Sequence, residues 1–334
     1  MKKVRWGIIA TGNISDQFVD GLKLVPTAEI AAVASRSSER AATFAEKHDI
    51  AKGYGSYEDM LVDESIDIIY IGTPHTSHLK DVLMCLNAGF NVLCEKPMGV
   101  NAKETALMVD AAREKDLLLM EGMWTRFFPA MKKVMAWIDS GKIGEIKMLT
   151  ASFGWDGSSN RQQWRFSNEA AGGALLDVGI YPLALAFSVF GTEPEEIVGL
   201  CKNVEGVDEA NSFIMKYSDG QMAVLSSAIT AKLGNALSIE GELGQIVIRD
   251  EWWCASKCEL MLDGDDFFAY SGEHTVFDAP YGSTGFQFEA EAACDYIVRG
   301  LKESPLITLD ESIRFAQTMD KLREMWKIKY PADK

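Results

Sequence analysis

The sequence predicts an α/β protein of two domains. A parallel sheet wrapped by helices comes first, and an α+β domain built on a large open, mostly antiparallel sheet follows. Three observations carry that expectation. Short apolar runs alternate with helix-spaced segments from the N-terminus to about residue 120, the rhythm of strand–helix–strand units. Beyond that point the apolar residues fall into longer alternating runs separated by turn signals, as antiparallel strands require. The 334 residues are also roughly two domains' worth at about 150 residues each. The boundary is expected near residue 122, giving a first domain over 1–122 and a second over 123–334.

In chain order, runs 4–10, 30–34, 66–71, 91–94 and 117–120 read as strands, with length and flanking turn residues deciding the assignment. Segments 14–24, 38–48, 75–86 and 102–115 between them have helical apolar spacing. Ser38 stands where one helix begins and Gly89 where another stops. In the second half Pro129 opens a helix that Ser140-Gly141 closes. Strands are expected over 145–155, 195–204, 210–218, 221–230, 236–248 and 258–263, with turns at Asp219-Gly220, Gly241 to Gly244 and Asp263-Gly264. A long helix over 173–190 interrupts them. Two more, over 285–301 and 310–328, close the chain, the last with Thr308 and Glu311 at capping-box spacing.

Composition narrows the function classes. With 47% apolar and 25% charged residues, and only 9 Pro beside 28 Gly, the chain is neither disordered nor fibrous. Subtracting 49 acidic from 33 basic residues gives a net charge of −16, and no basic cluster interrupts it, so nucleic acid is not an expected partner. No apolar run approaches the roughly 18 residues that a bilayer span needs. The N-terminal stretch does not read as a signal peptide. Six scattered cysteines without ligand spacing suit a reducing compartment, so a cytoplasmic location and no metal site are expected.

The first strand ends in Gly7-Ile8-Ile9-Ala10-Thr11-Gly12-Asn13-Ile14-Ser15 and opens a helix. That is the position of the glycine turn in a dinucleotide-binding (Rossmann) domain, where a helix N-terminus meets the pyrophosphate. Here Ala10 and Ser15 replace the outer glycines and Gly12 remains, and Thr11, Gly12, Asn13 and Ile14 are expected to bind the cofactor. An NAD-specific domain usually places an acid on the ribose at the end of the second strand. This chain has Ser35-Arg36-Ser37-Ser38-Glu39-Arg40. Hydroxyl and guanidinium groups suit a 2′-phosphate, so Ser35, Arg36 and Arg40 predict NADP in preference to NAD.

Three more segments are polar where a sheet would bury them. They are Thr73-Pro74-His75 with His78, then Glu95-Lys96-Pro97, and then Asp177-Val178-Gly179-Ile180-Tyr181-Pro182 on the later long helix. Ligands bind at strand C-terminal ends in open α/β sheets, which is where Lys96 falls. Asp177 and Tyr181 are four apart and share a helix face. The ordered set resembles the Gfo/Idh/MocA oxidoreductase family over essentially the whole chain. Segments 121–129 and 172–182 look like its dihydrodiol- and aldose-dehydrogenase branch.

The resemblance implies a Rossmann domain plus an open-faced sheet that pairs in dimers, a nicotinamide cofactor, and a sugar, polyol or diol substrate. It implies that Lys96 and Tyr181 flank the reacting carbon while Asp177 binds a substrate hydroxyl or orients Tyr181. It also places Thr73, Pro74, His75, His78, Glu95 and Lys96 along the cofactor. Chemistry agrees with these residue types, since oxidising a secondary alcohol needs a base for the hydroxyl proton as hydride departs. A free tyrosine titrates near ~10, and lowering that by about 2 units takes roughly 2.7 kcal/mol, which a lysine cation can supply.

Other residues keep two readings. Trp124, Arg126 and Phe127 suit a wall for a sugar or diol, and core packing fits nearly as well. Trp164 and Arg165 belong to a loop that could cover the substrate. Trp252 and Trp253 fit packing or an oligomer interface. His78 suits a satisfied surface residue or a helix start. A cofactor-sensing protein without turnover, and a keto-sugar reductase, stand beside the dehydrogenase as alternatives.

Overall fold

The computed structural model describes residues 3–266 and 269–334. Met1 and Lys2, part of the N-terminal stretch considered above, lie outside the described residues, as do Phe267 and Phe268. The chain forms two compact units, Met1–Phe127 with Gly282–Ile313, and Phe128–Tyr281 with Arg314–Lys334.

The first unit is a six-stranded parallel sheet of β1 (Val4–Ile9), β2 (Ala28–Ala34), β3 (Gly53–Tyr54), β4 (Ile68–Ile71), β5 (Asn91–Glu95) and β6 (Leu119–Gly122). Its order is β3-β2-β1-β4-β5-β6, and every neighbouring pair is parallel. The strands are near-continuous apolar runs because both faces are covered; all four residues of β4 are buried. Helices α1 (Asn13–Leu22), α2 (Ser38–His48), α3 (Tyr57–Met60), α4 (His75–Asn87) and α5 (Ala102–Glu114) make the crossovers. Val82 and Leu86 of α4 and Met108 and Val109 of α5 pack with Ile69, Ile71 and Val92 of the sheet in one core. Strand order reverses between β1 and β4, which opens the crevice where such sheets bind ligands. The two-residue β3 and four-residue α3 escaped the periodicity because neither is long enough to show a period.

The second unit begins with α6 (Pro129–Asp139) and β7 (Ile146–Gly154). A π-helical turn at Leu175–Gly179 then runs directly into α7 (Ile180–Phe190). After it come β8 (Glu196–Val204), β9 (Val207–Lys216), β10 (Met222–Ala228), β11 (Leu237–Gly241), β12 (Gly244–Ile248), β13 (Lys257–Leu262) and β14 (His274–Asp278). The sheet order is β14-β13-β12-β11-β7-β10-β9-β8. Only β7 and β10 pair in parallel, so the sheet is mixed with an antiparallel majority. Residues Ile180 to Phe187 of α7 are all buried, which explains why that segment is apolar on every side. Along β9, Phe213 and Met215 point inward while Ser212 and Ile214 stay exposed. Within this unit Val198, Leu200 and Ile214 leave an apolar stripe on the outer face.

The chain then returns to the first unit with α8 (Gln287–Arg299), and α9 (Leu309–Met325) follows. Before α8, the Phe286 ring lies 6.0 Å from Phe18 and stacks at 4.5 Å on Trp124. The linear division at residue 122 does not contain this return. Apolar spacing marks a helix but not the sheet against which it packs. At the start of α9, Thr308 Oγ1 accepts the Glu311 N–H at 3.2 Å. The Glu311 carboxylate, rather than completing the capping box, accepts from Arg126 at 2.6 Å. Among the described residues, no helix is long and apolar enough to cross a membrane.

Candidate active site

The glycine turn of the first unit follows β1. Ala10 takes φ +82°, the left-handed region that glycine usually occupies, so the turn keeps its shape with a residue that disfavours it. Gly12 is the extended N-cap of α1 and brings no side chain to the first-turn N–H groups. A Cβ there would meet nothing within 4 Å, so the space beside those donors is left open by the protein. Asn13 and Ile14 begin the helix. Ser15 is fully buried, and a Cβ on Gly72 beyond β4 would fall 2.6 Å from its Oγ. The close helix–sheet approach usually given by the third glycine is therefore supplied from the opposite side. Open donors at a helix start fit a diphosphate.

At the end of β2, Thr11 Oγ1 lies 3.5 Å from buried Ser35 Oγ, tying the glycine turn to the ribose position. Ser37 caps α2 by accepting the Arg40 N–H at 3.4 Å, which leaves Arg36 and Arg40 exposed at the helix start. Two guanidinium groups beside a hydroxyl, with no acid in the ribose position, fit a 2′-phosphate.

Beyond β4, Pro74 is the N-cap of α4 and His75 its first residue, buried. Thr73 Oγ1 donates to Asp81 Oδ2 at 2.8 Å. His78 is buried rather than at the surface, with Nδ1 2.9 Å from the Pro97 carbonyl and Nε2 2.9 Å from that of Thr73. Burial lowers its pKa, against the backbone carbonyls of Thr73 and Pro97 that raise it. His78 does stand at a helix start, in the first turn of α4, and it ties two loops because both ring nitrogens face backbone oxygens. Lys96-Pro97 is a cis peptide. Glu95 faces the interior. Its carboxylate accepts from Tyr70 Oη at 2.8 Å and from the Lys96 N–H at 3.3 Å, and burial raises its pKa.

After β6, Trp124 is half-buried against Phe286, while Phe127 is fully buried in the core. Arg126 donates to the Leu306 carbonyl at 2.8 Å and pairs with Glu311. The structure thus commits Phe127 and Arg126 to packing within the first unit. Apolar and cationic residues next to a strand end look the same in sequence whichever way they turn.

In the second unit, Asp177 lies in the π turn and Tyr181 in the first turn of α7. Single π turns are frequent at functional sites because they re-aim the residues they carry. Asp208 Oδ2 holds the start of this turn by accepting the Leu175 N–H at 2.8 Å. The mostly buried Tyr181 ring is 5.5 Å from Phe153, which stacks on Trp253 at 3.4 Å. Arg165 Nε donates to Asp177 Oδ2 at 2.6 Å, and its guanidinium lies 4.5 Å from the Trp164 ring and 5.2 Å from that of Trp155. Phe153, Trp155 and Asp208 were not singled out in the sequence. Phe153 sits inside an ordinary alternating strand, and only the three-dimensional contact brings it to Tyr181.

A six-stranded Rossmann sheet with open phosphate donors, joined to a large mixed-sheet unit bearing an Asp–Tyr pair, defines a nicotinamide-type oxidoreductase. Residues 4–123 match the oxidoreductase family with an NAD-binding Rossmann fold, and residues 131–247 match the GFO/IDH/MocA C-terminal domain. The chain belongs to the Gfo/Idh/MocA oxidoreductase family. It is 39% identical to trans-1,2-dihydrobenzene-1,2-diol dehydrogenase of Sus scrofa and 37% to that of Homo sapiens, each over 99% of both chains. Among solved structures it is similar to KijD10, a 3-ketoreductase from Actinomadura kijaniata in complex with NADP and TDP-benzene. That match has a TM-score of 0.85 and 26% identity, over 97% of this chain and 98% of the other. It shares its fold with levoglucosan dehydrogenase, TM-score 0.87 at 19% identity over 97% of each chain.

Proposed function

We propose that this protein is an NADP-dependent oxidoreductase that moves a hydride between nicotinamide and a hydroxyl-bearing carbon of a cyclic diol, aldose or polyol. The observation that carries the substrate class is the Asp177–Tyr181 pair, with Tyr181 beside Phe153 and Phe153 stacked on Trp253. A carboxylate grips hydroxyls, and flat rings suit the apolar face of a sugar or diol. Full-length similarity to dihydrodiol dehydrogenases supports the same class. Ser35, Arg36 and Arg40 support NADP over NAD, as does the NADP complex of KijD10.

Bound nicotinamide supplies the hydride acceptor or donor. Tyr181 takes the hydroxyl proton in oxidation and returns it in reduction. Lys96 holds the substrate oxygen and, by its charge, favours the ionised form of Tyr181. Asp177 accepts from a neighbouring substrate hydroxyl. Thr73, His75 and the loop tied by His78 line the cofactor. Reduction of a keto sugar is the same transfer reversed, and similarity to a 3-ketoreductase favours testing that direction too.

The apolar stripe Val198, Leu200 and Ile214 supports pairing of two chains through the outer sheet face. The six scattered cysteines support a cytoplasmic location. Nicotinamide absorbance with NADP⁺ and NAD⁺ against aldoses, inositols and cyclic dihydrodiols, and with NADPH against keto sugars, tests the proposal. Turnover with any member of the panel supports it. Silence across the panel with tight NADPH binding points to a sensor and overturns it.

A further inference from the structure

We propose that Arg165 is a specificity-determining residue: by neutralising Asp177 from within the chain, it restricts the site to substrates without a negative charge beside the reacting carbon. The inference deepens the assignment above and rests on Asp177 as the residue that meets substrate.

Arg165 lies on the loop between β7 and the π turn, and that loop is fastened along its length. At its start, the Trp155 and Gly157 N–H groups donate to the Ala228 and Ile229 carbonyls at 3.1 and 3.0 Å. In its middle, Arg161 pairs with buried Glu209, which Lys202 also meets at 2.8 Å. Near its end, Asn168 Nδ2 donates to the Gly206 and Lys329 carbonyls at 2.8 and 2.9 Å. Arg165 therefore reaches Asp177 from a fixed base.

Its guanidinium is engaged twice, by the carboxylate at 2.6 Å and by the indole faces of Trp155 and Trp164. Both arginines in this part of the loop thus have carboxylate partners inside the unit. A substrate carboxylate or phosphate would have to displace Asp177 from Arg165, or lie against the Asp177 carboxylate without a counter-ion. Either costs desolvation that no new pairing repays. A neutral polyol meets no such obstacle, because its hydroxyls donate to Asp177 while Arg165 stays in place.

The test compares the wild type with Arg165→Lys, Arg165→Met and Asp177→Asn. D-Xylose and D-glucose serve as neutral probes, and D-gluconate and D-glucuronate carry a carboxylate at opposite ends of the chain. Binding is read from tryptophan quenching in the NADPH complex, turnover from nicotinamide absorbance, and folding from thermal unfolding. The wild type should favour neutral probes by roughly 10-fold or more. Arg165→Met should raise KM for them by roughly 10-fold with a smaller change in kcat, and Arg165→Lys should recover part of that. Asp177→Asn, which releases the guanidinium, should bind the sugar acids more tightly than the wild type does. Equal or better wild-type binding of the acids would overturn the inference, as would no gain in acid binding by a folded Asp177→Asn. If no neutral probe turns over, the hydride-transfer assignment falls for these sugars, and the binding titrations alone still decide the charge preference.

Discussion

The two units hold their functional residues by different means. In the first, the ends of a buried parallel sheet present backbone groups on short loops that buried side chains tie in place. His78 joins two of them, Glu95 anchors to Tyr70, and the start of α1 is left open. In the second, Asp177 rides on a π turn and Tyr181 on the first turn of α7, and side chains from a long loop and distant strands complete their surroundings. Backbone-built sites recognise what is constant in a ligand, such as a diphosphate. Side-chain-built sites recognise what varies. The contrast teaches that cofactor binding should survive changes that abolish substrate handling, and the reverse.

The largest break in that contrast is Lys96→Met, since Lys96 belongs to the first unit but is proposed to act on substrate. It should lower kcat by roughly 10²–10⁴-fold while NADPH binding, read by fluorescence, changes little. Arg36→Ala sharpens the other side. The ratio of NADP to NAD affinity should fall by roughly 10–100-fold with unchanged selectivity among substrates, as a titration with both cofactors would show.

Stability against pH compares the units directly, because each contains a deeply buried carboxyl that burial pushes up to about 7. These are Glu121 of the first unit and Asp208 of the second. Between their ordinary range and about 7, the folded chain keeps protons that the unfolded chain has lost, so stability falls as pH rises through that window. Glu121→Gln and Asp208→Asn should each flatten the loss, by on the order of 1–3 kcal/mol between pH ~4.5 and ~7.5 in urea titrations. The smallest effect concerns Ala10, where φ is +82°. Ala10→Gly should raise stability by about 0.5–1 kcal/mol, seen as a small increase in Tm, with cofactor affinity equal or better.

Much of the first unit was legible because its code is local. Apolar runs of strand length, a glycine turn, and Thr73-Pro74-His75 and Glu95-Lys96-Pro97 each sit within a few residues of the elements that position them. The pair Asp177 and Tyr181 was legible by spacing, though the π winding beneath Asp177 was not, since no residue pattern marks an i→i+5 turn. Long-range contacts were illegible. Arg126 faces Glu311, Phe286 brings α8 to the first unit, and Phe153 and Trp253 meet beside Tyr181 across a hundred residues of chain. Edge strand β14 was missed because its exposed residues look like those of a loop.

In the proposed mechanism Tyr181 carries the proton while the first unit binds the cofactor. Single-turnover absorbance of Tyr181→Phe with saturating NADP⁺ and the best substrate of the panel tests it most directly, with NADPH affinity measured on the same preparation. NADPH affinity should be unchanged and hydride transfer slowed by roughly 10²-fold or more. Near-normal transfer in a protein that binds NADPH normally would contradict it.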